Sequence, residues 1–295
     1  MKKIISALLA AAMACTLFAG CQSEVVPSSS ATGATGGSSA ASDASTAASD
    51  LSGKLTLNGS TSMTSICDAL GEAFMEKYPN VTYEKANTGS GSAVTAVNDG
   101  NAMIGDLSRD LKDDENPDNF DIYVIALDGI AVAVNNENPV SDLTQDQIAK
   151  IFTGEITNWS EVGGDDAAIT VIGRESSSGT RDGFESIFNV ADKCKYAAEL
   201  GETGQVVQRV SSDKNAIGYV SLASAEGVKA LKVDGVEATE ENVSNGTYKV
   251  QRNFTQITKK GSTDSIIKAW FDFLRSDEGQ QIIKDQKLVT VEIAE

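Results

Sequence analysis

The chain has 295 residues, 41% of them hydrophobic and 22% charged. That is the composition of a globular protein large enough to bury a core without metals or disulfides. Its 42 acidic against 24 basic residues give a net charge of −18, which excludes a nucleic-acid partner and repels small anions at long range. Histidine is absent, so Ser-His-Asp and Cys-His catalysis and histidine-ligated zinc are excluded as well.

Residues 1–20 read as a signal peptide. Lys2 and Lys3 supply its positive start, and the apolar stretch from Ile4 to Phe18 is too short to favour a membrane-spanning helix. The stretch ends Leu17-Phe18-Ala19-Gly20-Cys21, which resembles the bacterial lipobox. That resemblance implies cleavage before Cys21 and a lipid on its sulfur. Residues 28–49 are almost wholly Ser, Ala, Thr and Gly and cannot bury a core. Residues 21–52 are therefore expected to be a lipid-anchored flexible tether. Cys15 leaves with the signal peptide, and Cys67 and Cys194 are expected to be buried free thiols in different lobes, although an exported protein could pair them.

Beyond the tether, short apolar runs alternate with helical patterns. Residues 54–57 read as a strand, followed by the turn Gly59-Ser60-Thr61-Ser62-Met63 and a helix with Ile66, Leu70, Phe74 and Tyr78 on one face. Residues 81–84 form the next strand, Gly89-Ser90-Gly91-Ser92 the next turn, and Val94 and Val97 mark a short helix. Residues 122–134 are nearly continuous apolar sequence interrupted by Asp128-Gly129, as expected of buried strands. A helix over 144–152, a strand over 169–172, a helix beginning near Asp182, a strand over 216–220 and one long amphipathic helix over 264–283 complete the pattern. Repeated strand–turn–helix order predicts an α/β fold.

Three turns share one design, with hydroxyl residues and glycine placed immediately before a helix: Gly59-Ser60-Thr61-Ser62, Gly89-Ser90-Gly91-Ser92 and Ser176-Ser177-Ser178-Gly179-Thr180. Each can serve as a simple N-cap. Each also offers unpaired backbone N–H groups and hydroxyls at a helix N-terminus, where an anion is stabilised. The third turn follows Arg174. Its five-residue spacing from Gly173 to Gly179, with no lysine after it, rules out a nucleotide P-loop. Arg109 is the second arginine in a candidate position, although either arginine could equally form a surface salt bridge. Asp128 is a carboxylate inside an apolar run, costly unless paired. Either it pairs structurally with an arginine, or it accepts the proton that phosphate retains near neutral pH and sulfate lacks.

These segments, in order, resemble the phosphate-binding proteins of bacterial phosphate ABC importers. The resemblance is carried by Gly59-Ser60-Thr61-Ser62-Met63, Thr88-Gly89-Ser90-Gly91-Ser92, Leu107-Ser108-Arg109, Leu127-Asp128-Gly129-Ile130-Ala131-Val132, Phe152-Thr153-Gly154-Glu155-Ile156-Thr157-Asn158-Trp159, the Arg174 turn and Ala216-Ile217-Gly218-Tyr219-Val220. It implies a two-lobed periplasmic-binding-protein fold of type II with a hinge, lobe 1 comprising 53–134 plus 237–295 and lobe 2 comprising 135–236. It also implies phosphate contacts at Thr61, Ser62, Ser90, Arg174, Ser178, Gly179 and Thr180. Familiar members carry Ser-Asp where this chain has Ser108-Arg109, so Arg109 stands at a contact position and Asp128 becomes the expected substitute acceptor. The expected role is binding of inorganic phosphate outside the cytoplasm and delivery to a membrane permease, by a lipid-anchored monomer on the outer face of the cell membrane. No enzymatic activity, cofactor or metal is expected. Another oxyanion such as sulfate or molybdate, or a phosphate sensor of the same fold, is the alternative.

Overall fold

The computed structural model describes residues 50–295. The expected signal peptide, Cys15, the lipidated Cys21 and nearly all of the tether lie outside the described residues. Lobe 1 begins with β1 (Ser52–Gly59), which pairs in parallel with β2 (Asn80–Asn87) and β3 (Ile104–Leu107). Between β1 and β2 runs α1 (Thr64–Lys77), and α2 (Ser90–Asn98) connects β2 to β3. The expected face of α1 is buried: Ile66, Leu70 and Phe74 pack with Leu55, Leu57, Trp270 and Phe273. Val94 and Val97 of α2 cover the opposite face of the sheet beside Leu107 and Ile257.

The apolar run around Asp128 is one strand, β4 (Phe120–Val134), 15 residues long. The interruption at Asp128-Gly129 does not divide it into the expected strands, because both residues stay in the ladder. Further along the chain come α3 (Gln145–Thr153), β5 (Thr170–Arg174), α4 (Gly179–Ile187), β6 (Ala198–Leu200), α5 (Thr203–Ser212), β7 (Ala216–Ser221) and β8 (Gln251–Lys259). The principal strands order as β2-β1-β3-β8-β4-β7-β5-β6 in one curled sheet. The first part of β4 pairs antiparallel with β8, from Phe120 opposite Lys259 to Gly129 opposite Gln251, with a register shift at Ile125. Its last five pair with β7, from Ile130 opposite Ser221 to Val134 opposite Ile217. A single strand therefore belongs to both lobes.

The cores divide at the same place. Ile125, Ala126 and Phe254 lie in the core of lobe 1, whereas Ile130, Val132 and Val250 lie in that of lobe 2 with Phe152, Phe184 and Tyr219. The chain thus crosses near Gly129 and returns near Gln251, not near Val134 and Val236 as the expected lobe boundaries had it. Continuous apolar sequence marks burial and carries no sign of which core receives each residue. The long C-terminal helix is also two helices, α6 (Ser265–Arg275) and α7 (Asp277–Asp285). Ser276 adopts extended backbone between them and its hydroxyl accepts from Gly279 N at 3.2 Å, capping the second helix. Cys67 and Cys194 are free thiols in different lobes as expected, but only Cys67 is buried in a core; Cys194 is half-buried against the edge of the lobe 2 core.

Candidate functional site

The loops at the carboxyl ends of β1, β2, β3, β5 and β6 meet between the lobes, the edge at which open α/β sheets receive ligands. Four of them lead into helices, so the N-termini of the Thr61 turn with α1, of α2, of α4 and of α5 converge there. Each contributes unpaired N–H groups and the positive end of its dipole. The hydroxyls interlock across the cleft. Ser62 Oγ lies 2.7 Å from Thr180 Oγ1 and 3.0 Å from Thr203 Oγ1, while Thr61 Oγ1 lies 3.1 Å from Thr203 Oγ1. Ser60 Oγ donates to Ser108 Oγ at 2.9 Å, and Ser90 Oγ accepts from Ser108 N at 3.1 Å. Ser60, Ser62, Ser90, Ser108, Thr180 and Thr203 are all buried.

Arg174 supplies the cation and is 2% exposed. Its Nη1 donates to Thr203 Oγ1 at 3.1 Å and its Nη2 to Thr61 Oγ1 at 2.9 Å, so the fork opens onto the hydroxyl cluster. The remaining donors fix its orientation. Nε and Nη2 engage Glu175 at 3.1 and 2.9 Å, and they also reach the carbonyls of Leu200 and Gly201. Glu175 balances the guanidinium charge, so the cluster must hold an anion mainly through directed hydrogen bonds and helix dipoles.

Close approach of the lobes depends on two glycines. A Cβ on Gly179 would sit 2.3 Å from Ser90 Oγ and 2.7 Å from Ser108 Oγ. Gly89 has φ +92°, and a Cβ there would sit 2.5 Å from Ser177 Oγ. With both positions bare, Gly91 N donates to Ser177 O across the cleft at 3.1 Å. Ser178 N-caps α4, its hydroxyl accepting from Arg181 N at 3.3 Å.

Thr61, Ser62, Ser90, Arg174, Ser178, Gly179 and Thr180 are thus brought to one place. Arg109 and Asp128 are not part of this cluster. The Arg109 guanidinium is spent on Glu115, with Nη1–Oε2 at 2.8 Å and Nη2–Oε1 at 2.7 Å, and its Nε lies 2.8 Å from Asp182 Oδ2 without aiming its N–H at that oxygen. Burial alone would lower the Arg109 pKa, but Glu115 and Asp182 more than reverse this and it rises. Asp128 is fully buried in the hinge. Its Oδ2 accepts from Arg252 Nε at 3.1 Å and Nη2 at 2.9 Å, and its Oδ1 accepts from Ser221 Oγ at 2.8 Å. Burial raises the Asp128 pKa and lowers that of Arg252, each partly offset by the other. The expectation of Asp128 as the ligand's proton acceptor is therefore corrected: its lone pairs belong to Arg252 and Ser221, the structural pairing weighed against it.

Three members of the cluster were not anticipated: Ser60, Ser108 and Thr203. Thr203 carried a usable signal, since Leu200-Gly201-Glu202-Thr203 repeats the strand–glycine–hydroxyl–helix order of the other turns. Ser108 follows β3 directly but opens no helix, so that rule passes over it.

Known proteins resemble this chain in sequence and fold. The PBP superfamily domain matches residues 35–278. The phosphate-binding protein PstS of Bacillus subtilis is 34% identical over 250 residues, covering 81% of each chain. A structure from Clostridium perfringens, described as a phosphate ABC transporter substrate-binding protein with bound phosphate, is 41% identical with a TM-score of 0.79, over 81% of this chain and all of that one. An ABC-type phosphate transport receptor from Vibrio cholerae is 30% identical with a TM-score of 0.70, over 80% of this chain and all of that one. With its two-lobed α/β architecture and its ring of helix N-termini, the chain belongs to the PBP superfamily, in the family of phosphate-binding proteins PstS.

Proposed function

We propose that this protein captures inorganic phosphate outside the cytoplasm and delivers it to the permease of an ABC importer. The carrying observation is the meeting of Thr61 and Ser62 from lobe 1 with Thr180, Thr203 and the Arg174 fork from lobe 2, with Ser90 close against Gly179. An oxyanion held by both sides closes the lobes around itself, the motion for which periplasmic binding proteins are the standard example. Relatives named for phosphate binding and a related structure with bound phosphate support the choice of anion.

The contacts we assign are Thr61, Ser62, Ser90, Arg174, Ser178, Gly179 and Thr180, joined by Ser108 and Thr203. Serine and threonine hydroxyls both donate and accept, so a hydroxyl can take the hydrogen bond offered by the proton that phosphate retains. Arg109 and Asp128 support the fold around the site. A lipid on Cys21 holds the monomeric protein at the outer face of the membrane, a reading that intact-mass measurement of Cys21→Ser against the parent protein checks. Titration calorimetry on the purified protein is expected to show micromolar or tighter phosphate binding, about a hundredfold weaker sulfate binding, and loss of the phosphate signal in Arg174→Met. Equal affinity for sulfate would refute the assignment of phosphate as cargo.

A further inference from the structure

Arg109 and Lys112 of lobe 1 share one carboxylate of lobe 2. Arg109 Nε lies 2.8 Å and Lys112 Nζ 2.9 Å from Asp182 Oδ2. The two cations differ in burial, Lys112 being half-exposed. Arg109 is buried and doubly bound to Glu115, whose Oε2 also accepts from Lys112 N at 2.9 Å. The same loop is tied to β8 by Asn253 Nδ2 donating to Asp110 Oδ1 at 2.8 Å. The lobe 1 half is thus a socket of one fixed cation, Arg109, with the more exposed Lys112 beside it on an anchored backbone.

The lobe 2 half is equally fixed. Asp182 stands in the first turn of α4, and its own N–H donates to Ser178 O at 3.0 Å. That helix begins with Gly179 and Thr180, two of the assigned phosphate contacts. Beside the contact lies a cavity of about 290 Å³, lined among others by Arg109, Asp182, Gly183 and Arg252. The charge contact thus borders an open space between the lobes, while Gly183 next to it approaches Ile130 of the hinge strand.

We infer that Asp182, held by Arg109 and Lys112, is an interlobe latch that slows release of the bound anion. Rotation of the lobes about the Gly129–Ile130 crossing carries Asp182 away from both cations, so the contact exists only in the closed form. Because α4 carries phosphate contacts at its start and the latch one turn later, an anion that seats the helix also aligns Asp182 with its socket. Charge contacts made only in the closed complex act on dissociation more than on association. Asp182 touches no ligand and is a positioning residue. The inference rests on the phosphate reading for its ligand but not for its mechanics.

Asp182→Asn should speed phosphate release in stopped-flow measurements about five- to thirtyfold and alter association far less. Rising salt should speed release from the parent protein and leave the variant nearly unchanged, since only the former has the charge contact to screen. Lys112→Met, at a half-exposed position, should act in the same direction with a smaller effect. Without ligand, small-angle scattering should give the Asn variant a larger radius of gyration than its parent at low salt. Faster, salt-insensitive release or the larger radius supports the latch, and neither response overturns it. A parent protein that binds no phosphate overturns the cargo instead, and the scattering comparison then decides the latch alone.

Discussion

Replacing Asp128 with asparagine separates a structural carboxylate from a ligand-binding one. In the folded protein its Oδ2 takes two hydrogen bonds from Arg252, whose side chain is 3% exposed and whose Nη1 has no hydrogen-bond partner. Neutralising Asp128 leaves that guanidinium buried without a counter-charge. Removing one member of a buried pair costs about 3–5 kcal/mol, and we expect the low end, about 3, because asparagine keeps an acceptor for Arg252 or Ser221. For a folded unit of this size that corresponds to a fall in Tm of about 6–12 °C. Circular dichroism melts of the parent and Asp128→Asn, without phosphate, measure it. Calorimetry on the same samples should show an unchanged preference for phosphate over sulfate. Unchanged Tm together with improved sulfate binding would refute the structural assignment and restore Asp128 as the selectivity group.

Thr203→Val keeps the shape of the side chain but removes the hydroxyl shared by Arg174, Thr61 and Ser62. It should weaken phosphate binding about tenfold by calorimetry, the scale of one hydrogen bond to a charged partner. Parent-like affinity would place Thr203 outside the contact set. Asp106 is fully buried below the site, with Oδ1 accepting from Gln256 Nε2 at 2.8 Å and Oδ2 without a partner. Burial lifts its pKa to about 6, opposed by Lys85 and Gln256. The neutral acid therefore favours the folded state: its contribution is complete below about pH 4 and is lost as pH rises to about 6, about 3 kcal/mol in all. Denaturant titrations of Asp106→Asn across that window should show a flatter pH dependence than the parent, and identical slopes would show that Asp106 does not titrate there.

Local chemistry made much of this protein legible in advance. The spacing of Ile66, Leu70 and Phe74 identifies a helix face because burial on a helix has a period, and that face is buried as expected. Glycine and hydroxyl residues before a helix announce unpaired N–H groups, since the reason lies within a few residues of chain. Three such turns and Arg174 were therefore enough to outline an anion site. The C-terminal break at Ser276 shows the limit: an amphipathic pattern can run through a cap that tertiary packing uses to turn the chain.

What the residues could not reveal is the use to which each charge is put. Arg109 and Asp128 both had the right chemistry for phosphate recognition. Arg252, the partner of Asp128, lies 124 residues away in sequence, and Asp182, which joins Arg109 beside its near neighbour Glu115, lies 73 residues away; only the folded arrangement brings them together. The lobe crossing at Gly129 is of the same kind, because β4 is largely apolar on both sides of it and merely changes neighbours from β8 to β7. Hydrogen-bonding capacity, helix starts and apolar periods belong to short stretches of sequence and can be read there. A buried ion pair is a choice among distant partners made under desolvation, and tertiary structure alone decided it.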